Sequence, residues 1–158
     1  MIFEDIAAFS ASLRARRPVL GLDLGTKTLG VAASDGLLST AGPVEVIKRT
    51  KFGVDAARLL DIATDRDAAG LILGLPRNMD GSEGPRCQST RAFARNLTQL
   101  TDLPISYWDE RLSTVAAERA LIEADLTRKR RSEVIDAVAA AYILQGALDR
   151  LRHLRADT

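Results

Sequence analysis

Val19-Leu20-Gly21-Leu22-Asp23-Leu24-Gly25, then Thr26-Lys27-Thr28, then Leu29-Gly30-Val31-Ala32-Ala33-Ser34, is the stretch on which the fold turns. Two short apolar runs separated by three residues, with Gly25 at the bend, predict an antiparallel hairpin. A third strand over Pro43–Lys48 completes a meander, and Val54–Thr64 has the apolar spacing of a helix. From there the pattern alternates: a strand at Leu71–Leu75, a helix from Arg86 to Leu100, a strand at Ile105–Trp108, and helices over Ser113–Ala124 and Ser132–Leu151. Upstream, Ile2, Ile6, Phe9 and Leu13 fall at helical spacing, so residues 1–17 are expected to form an amphipathic helix packed on the domain and ended by Pro18. A hairpin-rich start followed by βαβα units defines an α/β fold. The sheet is expected to be mixed and five-stranded, its first three strands antiparallel, with helices on its faces.

The chain has 158 residues, 46% hydrophobic and 27% charged, which suits one domain over 1–158 with a real core. Asp23-Leu24-Gly25-Thr26 is similar to the phosphate-binding hairpin of the actin-like ATPases and sugar kinases. Those folds close a nucleotide cleft between two such domains, and this chain is long enough for one. With 22 Lys and Arg against 21 Asp and Glu, the net charge is +1, so no global excess of base announces a nucleic-acid partner. One Cys and one His exclude a disulfide framework, a Cys/His zinc site and a pair of catalytic histidines, and Cys87 and His153 receive no role. The early acids Glu4 and Asp5 and late bases Arg14, Arg16 and Arg17 reverse the charge order of a secretory leader, and no apolar run approaches the roughly 18 residues of a membrane span. A cytoplasmic protein without membrane association is expected. Its chemistry would rest on carboxylates, Lys, Arg or hydroxyls.

Three acids stand out. Asp23 interrupts an apolar strand, where a charge is costly unless it is paired, hydrogen-bonded or bound to metal; as a simple turn cap or partner of Lys27 it would need no further role. Trp108-Asp109-Glu110-Arg111 closes a strand, and because side chains alternate, Asp109 and Glu110 point to opposite faces, so one of the two serves a given site. Asp136 lies among Val134, Ile135, Ala137, Val138 and Ala139, in a stretch without a basic side chain between Arg131 and Arg150; Glu133, a turn earlier, either joins it or sits exposed. Acids from the first strand, a later strand and the last helix are able to converge on divalent metal, and hard oxygen donors favour one or two Mg²⁺ or Mn²⁺ ions. In phosphodiester hydrolysis two such ions, about 3.5 to 4 Å apart, activate the attacking water and stabilise the leaving oxygen without histidine.

Four motifs in order carry a resemblance. Gly21-Leu-Asp23-Leu-Gly-Thr-Lys27-Thr-Leu-Gly30, Gly74-Leu-Pro76-Arg-Asn78-Met-Asp-Gly81-Ser-Glu-Gly84-Pro85, Asp109-Glu110-Arg111-Leu-Ser-Thr114 and Asp136-Ala-Val-Ala-Ala140 resemble the successive motifs of the YqgF-type pre-16S rRNA nucleases, from about residue 19 to 146. The resemblance implies an RNase H-like fold related to Holliday junction resolvases. It also implies metal-binding and catalytic roles for Asp23, Glu110 and Asp136, choosing Glu110 over Asp109. Lys27 and Arg111 become candidates for orienting phosphate. The Gly74–Pro85 stretch leaves a strand end, where α/β sheets bind ligands, so Arg77, Asn78, Arg86 and Arg91 are placed along a phosphate backbone. The run Arg128-Lys129-Arg130-Arg131, just before the helix of Asp136, is the strongest local concentration of charge and a further nucleic-acid grip. Tyr107 and Trp108, inside a strand, belong to the core rather than to a stacking platform.

The resulting expectation is a metal-dependent endonuclease that trims the 5′ end of precursor 16S rRNA in ribosome biogenesis, acting on nucleic acid and on ribosomal precursor particles as a monomer rather than a dimer. A structure-selective resolvase of branched DNA is the alternative enzyme, and symmetric junction cleavage would call for a dimer. A non-catalytic module that binds nucleic acid or ribosomal precursors is the alternative outside enzymes. With three acids committed to metal, 22 bases face 18 remaining acids, so near-neutrality is compatible with a local, salt-sensitive grip.

Overall fold

The computed structural model describes residues 1–112 and 128–156, with side chains described for 1–112 and 135–154. The expected helix over Ser113–Ala124, together with Thr114, lies outside the described residues. In chain order the elements are β1 (Ile2–Phe3), α1 (Ile6–Ser12), β2 (Val19–Leu24), β3 (Thr28–Ser34), β4 (Ala41–Lys48), α2 (Phe52–Arg66), β5 (Gly70–Leu75), α3 (Pro85–Leu97), β6 (Ile105–Asp109) and α4 (Arg128–Ala156), with one 3₁₀ turn at Glu110–Leu112. The strands form one sheet ordered β1-β6-β5-β2-β3-β4. β2, β3 and β4 pair antiparallel, as the hairpin reading requires, while β5 joins β2, β6 joins β5 and β1 joins β6 in parallel.

The strand count is six, not five. Ile2 and Phe3, expected at the start of the first helix, instead run parallel to β6, and the Ile105 amide donates to the Met1 carbonyl at 2.9 Å. The helix begins only after Asp5, whose carboxylate caps it by accepting from the Ala7 amide, and ends at Ser12. Helical spacing from Ile2 was thus partly accidental. β1 covers the start of the β6 edge, where Ile105 and Ser106 would otherwise leave backbone groups unpaired. The last helix is longer than the expected Ser132–Leu151 and takes in Arg128–Arg131 as its opening turn.

Alternation along the strands sorts the core into two layers. Leu20, Leu22, Leu29, Val31, Leu71, Leu73, Ile105 and Tyr107 face α2 and α3, meeting Leu59, Ile62, Phe93 and Leu97. Val19, Ala32, Ile72 and Trp108 face the other way, against Ala139, Ala140, Ile143, Leu144, Ala147 and Leu148 of α4 and Phe9 of α1. Counting by twos from Val19 puts Gly21 and Asp23 on the α4 face. The alanine-rich stretch of α4 lets the helix settle low on the sheet, and two glycines make its descent possible. A Cβ at Gly30 would overlap the Asp136 carbonyl group, and one at Gly74 would lie 2.5 Å from Ile143 Cδ1. Among the described residues no helix is long and apolar enough to cross a membrane.

The glycine at position 30 therefore carries a sharp expectation. Its obstacle is backbone, which cannot rotate away, so Gly30→Ala should destabilise by about 3 kcal/mol. In contrast, Gly42→Ala, which meets nothing within 4 Å, should be close to neutral. Urea unfolding of the two variants checks both, and equal midpoints would contradict the close approach of α4.

Candidate nucleic-acid cleavage site

The three acids predicted from the sequence reach one face of the sheet at one end of its strands. Asp23 is 6% exposed on β2 and is register-paired with Gly30 of β3. Because Gly30 lacks a side chain, the backbone of Asp136 on α4 comes down onto β3 directly across from Asp23. On the other side of β2, Gly74 of β5 leaves room for Glu110, whose Oε1 would stand 2.7 Å from a Cβ there. The side chains are thus gathered by what is missing beneath them. Among the described residues no three Asp, Glu, His or Cys side chains are drawn tightly enough to enclose an ion by themselves. The donor chemistry is nonetheless that of a hard divalent cation, all carboxylate oxygen.

Asp109 and Glu110 take different faces of the sheet. Trp108 faces α4, so Asp109 points to the opposite face and Glu110, after the strand ends, returns to the side of Asp23. Asp109 has other business: it accepts from Arg111 Nη2 at 2.7 Å, from Nε at 3.1 Å and from the Arg111 amide at 3.0 Å. These bonds hold its carboxyl below the usual carboxylate range, the guanidinium hydrogen bond being the largest cause. Arg111 also reaches the Met79 carbonyl at 3.4 Å. It stitches the end of β6 to the glycine-rich loop.

That loop is closed on itself. The Asn78 amide donates to the Ser82 carbonyl at 2.9 Å, Asn78 Nδ2 to Ser82 Oγ at 3.0 Å, and Asp80 Oδ1 accepts from the Ser82 amide at 2.9 Å. Arg77 sits 3.4 Å from Glu83, and Arg91 bonds both oxygens of Glu83 at 2.6 and 2.7 Å, pairs with Glu4 and lies 4.7 Å over the Tyr107 ring. Arg91, expected along a phosphate path, is therefore a brace between α3, the loop and the N-terminal segment. Lys27 is exposed in the β2–β3 turn, and Arg86, in the first turn of α3, points Nη2 at the Leu24 carbonyl, 3.4 Å away. Tyr107 and Trp108 are core residues, and Cys87 is buried. The side chains of Arg128, Lys129, Arg130, Arg131 and Glu133 lie outside those described.

Sequence reasoning missed two contributors. Thr28 Oγ1 donates to Asp136 Oδ2 at 2.5 Å, fixing one oxygen of that carboxylate. The signal was present, since Thr28 and Gly30 are two apart on one strand and share a face. Arg49, just past β4, donates through Nη1 to the Gly25 carbonyl, a contact that no local pattern announces because it depends on how the β3–β4 pairing ends.

Residues 17–150 match the family model described as "RuvX: Holliday junction resolvase". The chain belongs to the RuvX family. Among curated relatives of this RuvX chain, a protein of Roseobacter denitrificans described as "Putative pre-16S rRNA nuclease" is 69% identical over 99% of this chain and 98% of its own length. Proteins of the same description from Ruegeria pomeroyi and Paracoccus denitrificans are 68% and 69% identical, each over 98% of this chain. Among solved structures, Thermus thermophilus RuvC in complex with a Holliday junction substrate superposes with a TM-score of 0.52 at 15% identity, covering 85% of this chain and 96% of that one. The fowlpox virus Holliday junction resolvase gives 0.50 at 14%, covering 87% and 99%. These likenesses establish the RNase H-type resolvase fold for the RuvX chain.

Two outcomes follow for the site. Thr28→Val should lose about 1 kcal/mol in urea unfolding while Thr28→Ser keeps most of it, the value expected of one partly exposed hydrogen bond to a carboxylate. Asp109 and Glu83 both have lowered carboxyl pKa values through their arginines. A depressed folded pKa stabilises above the ordinary value near 4 and is lost as pH falls through the folded value. Melting temperatures should hold from pH 7 to 5 and fall below about pH 4, less steeply in Arg111→Gln; a Thr28→Ser variant as weak as Val, or an identical acid limb in Arg111→Gln, would contradict these pairings.

Proposed function

We propose that this RuvX-family chain is a single-domain, metal-dependent endonuclease of the cytoplasm that processes the 5′ end of precursor 16S rRNA. The observation that carries the reading is the delivery of Asp23, Glu110 and Asp136 to one sheet face by Gly30 and Gly74. The curated relatives, similar over nearly their whole length, supply the substrate. Asp23, Glu110 and Asp136 would hold Mg²⁺ or Mn²⁺, with water and substrate phosphate oxygens completing the shell. The bound ion supplies Lewis acidity and a water acidic enough to attack phosphorus near neutral pH.

The chain's own residues do the rest. Burial in β2 keeps the Asp23 backbone rigid, and the Thr28 hydroxyl holds Asp136 by one oxygen so that the other is presented to the face. The phosphate backbone is met by Lys27 on the turn, by Arg86 at the start of α3 and by Arg128–Arg131 in the opening turn of α4. Arg77, Asn78 and Arg111 shape the glycine-rich loop beside it, with Arg111 neutralised in part by Asp109. Hydrolysis leaves a 5′-phosphate and a 3′-hydroxyl.

The family description favours a second reading, resolution of four-way DNA junctions, which needs two active sites and hence a dimer. Labelled precursor rRNA and four-way junction DNA, each incubated with Mg²⁺ or Mn²⁺, separate the two. Cleavage of the rRNA should fall to background in Asp23→Asn, Glu110→Gln and Asp136→Asn, and pairwise combinations should be no worse than the singles because the three act as a unit. Undiminished cleavage by Asp23→Asn would refute the site. Cutting of the junction alone would transfer the assignment to the resolvase.

A further inference from the structure

The arginines of this chain divide by what holds them. Arg77, Arg91 and Arg111, around the glycine-rich loop, are each neutralised by a carboxylate: Glu83 for the first two, Asp109 for the third. Arg58 is likewise paired with Glu45, and Arg14 and Arg17 with Asp67. Arg49 and Arg86 are different. Among the described residues neither has an ion pair, and each is steered instead by a neutral carbonyl, Arg49 by Gly25 and Arg86 by Leu24. Those carbonyls belong to consecutive residues directly after Asp23. A cleft opens between them, walled by Thr26 from the turn and by Pro85 and Ser89 from α3.

Two guanidinium groups from separate elements line this one cleft, and an anion between them would be attracted by both. Each also keeps most of its five N–H donors for something else, in the planar fork that matches phosphate. We propose that Arg49 and Arg86 clamp a single backbone phosphate of the substrate strand at the end of β2, beside the acid-bearing face. This rests on the nuclease reading above and revises its geometry. Arg77 and Arg111 remain positioning residues that hold the loop, and Arg86 gains in Arg49 a partner that had no signal in the sequence.

The test reads charge neutralisation directly. In an Asp136→Asn background, binding of a labelled single-stranded RNA oligonucleotide is measured by anisotropy across salt concentrations. Each phosphate contact contributes about 0.7 to the slope of log K against log salt. The Arg49→Gln/Arg86→Gln pair should lower the slope by about 0.7, whereas Arg49→Lys/Arg86→Lys, which keeps both charges, should retain it with weaker binding at fixed salt. Circular dichroism confirms that each variant is folded. An unchanged slope in the Gln pair, a loss of slope in the Lys pair, or a fall of about 1.4, which means two separate phosphates, would overturn the clamp. If Asp136→Asn still cuts RNA, the nuclease reading fails whatever the slopes show; if it is inert and the slopes do not move, only the clamp fails.

Discussion

Helix α4 lies so low on the sheet at Gly30 that a single added carbon would collide with the Asp136 carbonyl, and much else in the site depends on that contact. An acid on a helix and an acid in a strand ordinarily stand a side-chain layer apart, since elements pack through their side chains. Removing the side chain from β3 deletes that layer where Asp23 is paired with Gly30. The same device at Gly74 admits Glu110 from beyond β6. Small residues here act as spacers of length zero, and the alanines of α4 extend the close fit along the rest of the helix. Packing in one layer of the core thereby determines which carboxylates share a face.

Electrostatics divides the remaining charges between building and binding. The chain is nearly neutral overall, yet its arginines are not spread evenly over its acids. Glu83 and Asp109 draw in the guanidiniums of Arg77, Arg91 and Arg111, and the glycine-rich loop is fixed as a result. Arg49 and Arg86 are left to carbonyl oxygens, which orient a guanidinium without cancelling its charge. A net charge of +1 is then no guide to the local field at the end of β2, where substrate would lie.

Much of this was legible in the sequence where a local rule sufficed. Two short apolar runs separated by three residues marked the hairpin, and the βα alternation from Leu71 onward marked the parallel half of the sheet. Strand alternation separated Asp109 from Glu110, although which of them shares a face with Asp23 needed the direction of Trp108. What stayed hidden depends on pairing between distant segments. Two residues, Ile2 and Phe3, are too few to show a period, and only the exposed edge of β6 explains them. The partners of Arg111 and Arg91 sit in opposite relation to the sequence: Asp109 is two residues from Arg111, whereas Glu4 is 87 from Arg91. Arg49 reaches Gly25 because β4 ends opposite the first residue of β3, Lys48 beside Thr28, which is a fact of register and not of composition.

The claim that three carboxylates on one sheet face form a divalent metal site is tested most directly by locating the metal. Crystals soaked in Mn²⁺ and measured near its absorption edge should give an anomalous peak bounded by Asp23, Glu110 and Asp136, with Thr28 still hydrogen-bonded to Asp136. Peaks confined to other acids, with no density among these three at saturating Mn²⁺ and with substrate RNA bound, would contradict the account.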